Sequence, residues 1–420
     1  MEYKKIDKTS YTIHLIKTNK FKTIDIRVCF RDEIRKEDIT LRNMLSSLMT
    51  YSTDTYPTKR ELVLKSEDLY AATVYTKSYR AGRFSLVNFY LSMLNEKYTE
   101  KGMYEESIKF LSDVIFNPNF NKEKEFNDAY KFLYESANRS LKGLKENGGN
   151  YSTIRMLEEM DDNPYSYRDS GYLEDLDKIN LDSLKEYYNR LITSSLVDII
   201  VIGDINKEIE ELIEKYFDFK TFKRPKVKPI ITHDKFRQRV KTIKEENSSS
   251  QSKLSIGCKI GKLTDFERNF VLTIYNSILG GSSESKFFQI IREKNSLAYY
   301  VYSSLNKLDS LMLIRAGISK ENFDKTVSLI KKLMKEMEEG KFTLDDIKVA
   351  QENYISSLNE IEDNSDGIVE AYLANELLGL GNLETRKKEI MKVTKEDVIK
   401  VAKKIKLDTI FLLEGVDSLE

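Results

Sequence analysis

Few side chains in this 420-residue chain could do metal or nucleophilic chemistry. There are two His, His14 and His233, and two Cys, Cys29 and Cys258. All four are scattered singly, with no CxxC and no HxxxH, whereas zinc and haem sites need imidazole or thiolate at close spacing. A His-based triad would have to use His14 or His233, and neither lies in a motif. His14 sits between Ile13 and Leu15 in a strand-like stretch, which predicts a structural His with satisfied hydrogen bonds. His233 falls beside a Lys- and Arg-rich segment and is expected to face solvent. Ser46 and Ser47 offer hydroxyls, but no base at motif spacing activates them. There is no nucleophile elbow, phosphate loop or dinucleotide fingerprint.

Composition narrows the classes further. The 68 Lys and Arg balance 68 Asp and Glu, so no basic footprint for nucleic acid arises. Two distant Cys fit a reducing compartment, and the chain is expected to be cytoplasmic. No stretch approaches the roughly 18 apolar residues of a membrane span, and the N-terminus shows no signal-peptide run. At 40% apolar residues, with only 17 Gly and 5 Pro, mostly regular structure around sizeable cores is expected, in two or more domains.

Alternating Ile24, Ile26, Val28 and Phe30 predict a strand over 22–33, and Leu41, Met44, Leu45, Leu48 and Met49 a helix over 38–50. Strands at 72–80 and 84–92 flank Ala81-Gly82-Arg83, a hairpin signal. Helices follow at 104–116, 122–145 and 181–193. Residues 195–205 then form a buried strand, and 207–217 a helix. Residues 218–245 hold Pro225, Pro229 and clustered Lys and Arg, which predicts an interdomain linker. After it the order returns. Leu254, Ile256, Cys258 and Ile260 alternate as a strand, and Thr264 with Glu267 forms a capping box ahead of a helix. A strand containing Leu311, Leu313 and Arg315 and helices near 320–338, 343–360 and 366–380 complete the second half. INLDSLKEYYNRL before SLVDIIVIGD matches VTKEDVIKVAKKI before LDTIFLLEGV in kind, at an offset of about half the chain. That period means two copies of one domain.

Residues 282–304, SSESKFFQIIREKNSLAYYVYSS, resemble the second-half signature of the M16 metallopeptidases, the family of pitrilysin and the mitochondrial processing peptidases. Phe288, Gln289, Arg292, Glu293, Lys294, Leu297, Ala298 and Tyr299 all match it. Asp162-Asn163-Pro164 and the helix region from Phe342 to Val349 resemble further family segments. The family's first helix carries HxxEH, two zinc-binding His and a general-base Glu. Here that helix reads TLRNMLSSLMTYSTDTYP. Asn43 and Ser47 stand at the His positions and Ser46 at the Glu position. Glu135 matches the further zinc Glu as a vestige.

The resemblance implies an α+β fold. Two homologous M16-like domains, 1–217 and 246–420, each a mainly antiparallel sheet backed by helices, would form a clam-shell joined by the 218–245 linker. It implies a catalytically inactive subunit that binds peptide or unfolded polypeptide through Arg292 and Tyr299. In the family that pair reaches toward the active site and holds the substrate backbone or tetrahedral intermediate. The chain would pair with an HxxEH-bearing M16 subunit. No cofactor is expected in this chain, and zinc only in the active partner. Two alternatives are a non-enzymatic peptide-binding or scaffold homodimer and a peptidase with an unusual metal site.

Overall fold

The computed structural model describes residues 1–217, 219, 227–248 and 251–415. They divide into two units that interleave along the chain. Unit one comprises Met1–Lys142, Arg168–Lys228 and Asp363–Val369, and unit two comprises Gly143–Tyr167, Pro229–Glu362 and Glu370–Glu420. Positions 218 and 220–226 of the expected linker lie outside the described residues.

Unit one is built on a six-stranded sheet. Its strands are β1 (Glu2–Asp7), β2 (Thr12–Lys17), β3 (Thr23–Glu33), β4 (Thr73–Ala81), β5 (Phe84–Leu94) and β6 (Leu196–Gly203), in the order β1-β2-β6-β3-β5-β4. All neighbours are antiparallel except β2 and β6. Gly82, at φ +60°, closes the β4–β5 hairpin in a conformation that glycine adopts freely. Helices Ile39–Met49, Met103–Phe116 and Leu181–Ser194 pack on the sheet. They bury Leu45, Leu48, Ile108, Leu111 and Leu184, as their helical spacing requires.

Unit two repeats the plan. Strands β7 (Lys241–Asn247), β8 (Ser252–Ile260), β9 (Ala298–Asn306), β10 (Leu311–Ile318) and β11 (Ile405–Gly415) lie in the order β7-β11-β8-β10-β9. This reproduces β2-β6-β3-β5-β4, including the one parallel pair, β7 with β11. The capping box forms as expected: Thr264 N donates to Glu267 Oε2 at 2.8 Å and Glu267 N to Thr264 Oγ1 at 3.2 Å. A π-helical turn, Glu267–Val271, leads from it into helix Leu272–Leu279. That helix, with Phe323–Glu338 and Lys395–Ala402, covers one face of the sheet around Ile256, Cys258, Ile314 and Leu412.

Helices back the second sheet on both faces. Helix Gly148–Glu158, from the first half of the sequence, covers the second face through Tyr151, Met156, Leu311, Leu313, Phe411 and Leu413. Gly257 permits this approach, because a Cβ there would meet the Met156 and Met160 sulfurs at 2.5 Å. The start of helix Ser365–Leu378 is exchanged the other way and belongs to unit one. Residues 229–245, expected in the linker, are built into unit two. Ile231 is buried and its N–H donates to Leu308 O at 2.7 Å, and β7 begins at Lys241.

Candidate functional site

Helix Ile39–Met49 carries Asn43, Ser46 and Ser47, and polar neighbours from distant segments surround the first two. Asn43 Nδ2 donates to Asp169 O at 2.8 Å, and Ser78 Oγ on β4 donates to Asn43 Oδ1 at 2.8 Å. Ser46 is buried and donates to Asn43 O at 3.1 Å, while Thr76 Oγ1 donates to Ser46 O at 2.9 Å. Beside them Arg42 is fully buried. Its guanidinium pairs with Asp169 at 2.8 Å and donates to Asn43 Oδ1 and Ser85 Oγ. Ser47 is exposed, and so is Glu135 on helix Glu123–Lys142, which packs on the motif helix. An amide and two hydroxyls next to a buried guanidinium offer no imidazole or thiolate, so these residues do not fit zinc. Among the described residues no group of three or more His, Cys, Asp or Glu is placed to hold a metal ion.

The other signature residues lie in unit two. Arg292 sits near the end of a π-helical segment, Phe287–Lys294, and Tyr299 opens β9. Wide π turns and left-handed residues recur at functional positions, and here Ser296, between the two, has φ +50°. Leu297 N reaches back to Ile291 O at 3.0 Å, which closes the turn. Ile318 pairs with Ala298 and Gly317 with Tyr300, so Tyr299 is the extra residue of a β-bulge. A bulge re-aims a side chain away from the ladder, and Tyr299 is 64% exposed. The Arg292 guanidinium lies 4.7 Å from the Phe288 ring centroid and 3.6 Å from Glu293. Arg292 and Tyr299 line one cavity of about 410 Å³, with Ser296, Ser319 and Asn322.

Residues 178–354 match the family model described as the peptidase M16 inactive domain. The chain is 28% identical over 418 residues to "Probable inactive metalloprotease YmfF" of Bacillus subtilis (strain 168), covering 97% of this chain and 96% of that protein. Residues 178–354 thus carry a domain of the M16 kind, in a chain similar over nearly its whole length to that Bacillus subtilis protein. Among solved structures, a conserved protein from Enterococcus faecalis V583 is 25% identical with a TM-score of 0.88, covering 100% of both chains. A peptidase M16 inactive domain from Pseudomonas fluorescens shares the fold at TM-score 0.80 and 15% identity, also covering 100% of both chains.

The helix Ile39–Met49 carries Asn43, Ser46 and Ser47 and no His or Glu. Neither His supplies a substitute. His14 is buried on β2, with Nε2 3.2 Å from Asp198 Oδ1 and Nδ1 2.9 Å from Tyr3 OH, a satisfied structural His. His233 departs from expectation. It is 6% exposed, bonds Asp309 O at 2.9 Å and stacks edge-on against Tyr165, because residues 229–240 pack into unit two. Burial holds its pKa below the usual value. Sequence reasoning missed Arg42, Ser78 and Asp169, which come from three separate segments with no common spacing. No helix among the described residues is long and apolar enough to cross a membrane.

Proposed function

We propose that this chain is a non-catalytic M16 subunit that binds an extended peptide and lends Arg292 and Tyr299 to an HxxEH-bearing partner. The observation that carries the reading is asymmetric. Of the positions matched to the zinc motif, Asn43 is consumed by hydrogen bonds with Ser78 and Asp169 and Ser47 offers only a hydroxyl, whereas Arg292 and Tyr299 are both present and exposed on one cavity. Arg292 would supply charge-assisted donors to a peptide carbonyl, and the Tyr299 hydroxyl a further one. The partner would bring the zinc and the general base. Two buried free thiols, Cys29 and Cys258, support a reducing compartment, and we place the protein in the cytoplasm.

The test mixes the chain with an HxxEH-bearing M16 paralogue from the same organism. Co-elution on size exclusion and faster cleavage of a quenched fluorescent peptide are expected, with Arg292→Ala lowering the rate about a hundredfold. No co-elution together with no gain in cleavage overturns the reading. Peptide capture by this chain alone, unaltered by the paralogue, would replace it with that of a homodimeric peptide-binding protein.

A further inference from the structure

Unit two holds a second recess, of about 280 Å³, on the sheet face covered by helix Gly148–Glu158. Its walls include Asn150, Ser152, Ser255, Tyr300, Tyr302 and Arg315. Alternation along β9 separates it from the Arg292 cleft. Tyr300 and Tyr302 share this face, Val301 points into the core, and the bulged Tyr299 leaves the ladder. Arg315, on β10, pairs with Tyr302 across the ladder, and its Nη1 donates to the Tyr302 hydroxyl at 3.3 Å. Its Nε is shielded from solvent and has no hydrogen-bond partner among the described residues. None of the lining residues is acidic.

The remaining walls also present donors. Gly317 leaves room for the Tyr300 ring, since a Cβ there would meet it at 2.5 Å. The Tyr300 hydroxyl thereby reaches the first turn of helix Gly148–Glu158, 3.9 Å from where a Cβ on Gly149 would sit. That turn is the positive end of the helix dipole. Lys253, on the same face as Ser255, places its ammonium 5.6 Å from the Tyr300 ring centroid. A guanidinium, two aromatic side chains and a helix N-terminus therefore line one space. Their chemical complement is a planar anion, and the guanidinium fork matches a carboxylate in two parallel hydrogen bonds.

The internal repeat supplies a control. The equivalent recess of unit one, about 170 Å³, is formed by β3, β4, β5 and the start of helix Ser365–Leu378. It contains Asp25 and Asp366. Its arginine, Arg27, is engaged by Asn88 at 3.0 Å and Tyr79 at 2.7 Å. The fold thus makes the recess twice, and only the copy in unit two pairs an unused guanidinium N–H with an acid-free lining.

We infer that the recess around Arg315 is a subsite for a carboxylate of a bound peptide, either its C-terminus or an Asp or Glu side chain. This rests on the peptide-binding reading above and adds the ligand class of a second position. The test uses the full chain and fluorescence polarisation with one short labelled neutral peptide in three forms. One has a free C-terminus, one is amidated with an internal Glu, and one is amidated with Gln in place of that Glu. The amidated Gln form should bind about tenfold more weakly than the better carboxylate form. Arg315→Gln should abolish that difference, and Arg315→Lys should keep part of it. Which carboxylate form binds more tightly identifies the source. Equal binding of all three forms to the wild-type chain, or discrimination that survives Arg315→Gln, refutes the subsite alone. Failure of every form to bind refutes the peptide-binding reading and the subsite together.

Discussion

Replacing Asp198 removes an acceptor shared by buried His14 and largely buried Arg31. Asp198 lies 3% exposed on β6. Its Oδ2 accepts from Arg31 Nε at 2.8 Å and Nη2 at 2.5 Å, and its Oδ1 faces His14 Nε2 at 3.2 Å. Asp198→Ala takes the Asp198 charge and both of its hydrogen bonds from the Arg31 guanidinium, 12% exposed, a loss of about 3–5 kcal/mol for a largely buried pair. Asp198→Asn keeps the shape and one acceptor oxygen, so its cost should be about half as large. With an m value of about 3 kcal/mol/M, the alanine variant should lower the urea midpoint by about 1–1.7 M. The measurement is urea unfolding followed by circular dichroism, repeated across pH. Burial alone would raise the Asp198 pKa, but the His14 hydrogen bond and the Arg31 charge outweigh it and hold the carboxyl below its usual value. The contribution is therefore complete above the unfolded value of about 3.9 and is lost as pH falls through the lower folded value. The gap between wild type and Asp198→Asn should accordingly narrow below about pH 4. A midpoint shift under about 0.3 M for the alanine variant, or a gap of equal size at pH 3 and pH 7, would refute the reasoning.

Three further outcomes follow from particular contacts. Asn43→Ala should cost about 1–2 kcal/mol in a thermal melt, because it strips the Ser78 and Asp169 hydrogen bonds, whereas exposed Ser47→Ala should stay within about 0.5 kcal/mol. Gly203→Ala should destabilise by about 1–3 kcal/mol by the same measure, since the residue has φ +144° and a Cβ would meet Thr23 O at 2.8 Å. Glu267→Gln should weaken the acid limb of stability. Burial opposes ionisation, but Lys404, the Thr264 N–H and Lys400 hold the Glu267 pKa down to about 2. That stabilisation is present above the unfolded value of about 4.3 and disappears as pH falls through about 2, so the two proteins should converge in melts at pH 2.

The strands and helices legible in the sequence were those with strong periodicity. β3 and β8 alternate cleanly, the Thr264–Glu267 box signals its helix, and the duplicated helix-then-strand endings predicted two copies of one plan. Strand β7 was hidden because KTIKEEN alternates only weakly and its residues are half-buried or exposed, so its charges read as linker. The burial of His233 could not be seen for the same reason: Lys and Arg nearby suggest solvent, while the packing of Tyr165 against it is decided by a segment 68 positions earlier. At the candidate site, the absence of His and Glu at positions 43, 46 and 47 was legible, since a motif is local. The network that replaced them was not, since Ser78 and Asp169 reach Asn43 only through the fold. Arg315 carried no sequence signal beyond its place on a strand, and its role depends on a glycine two residues away and a helix from the other half.

The exchange of segments between the units has a consequence for synthesis. Residues 143–167 leave the ribosome as part of the first half, yet β11, against which Tyr151 packs, lies at Ile405–Gly415. At roughly 5–20 residues per second, that helix waits on the order of tens of seconds for its sheet. Unit one likewise stays unfinished until residues 363–369 emerge. Neither half of the chain can therefore complete itself during translation, and a nascent polypeptide stalled or cut near its middle would expose Met156, Met160 and Tyr151 to whatever chaperone or protease is nearby.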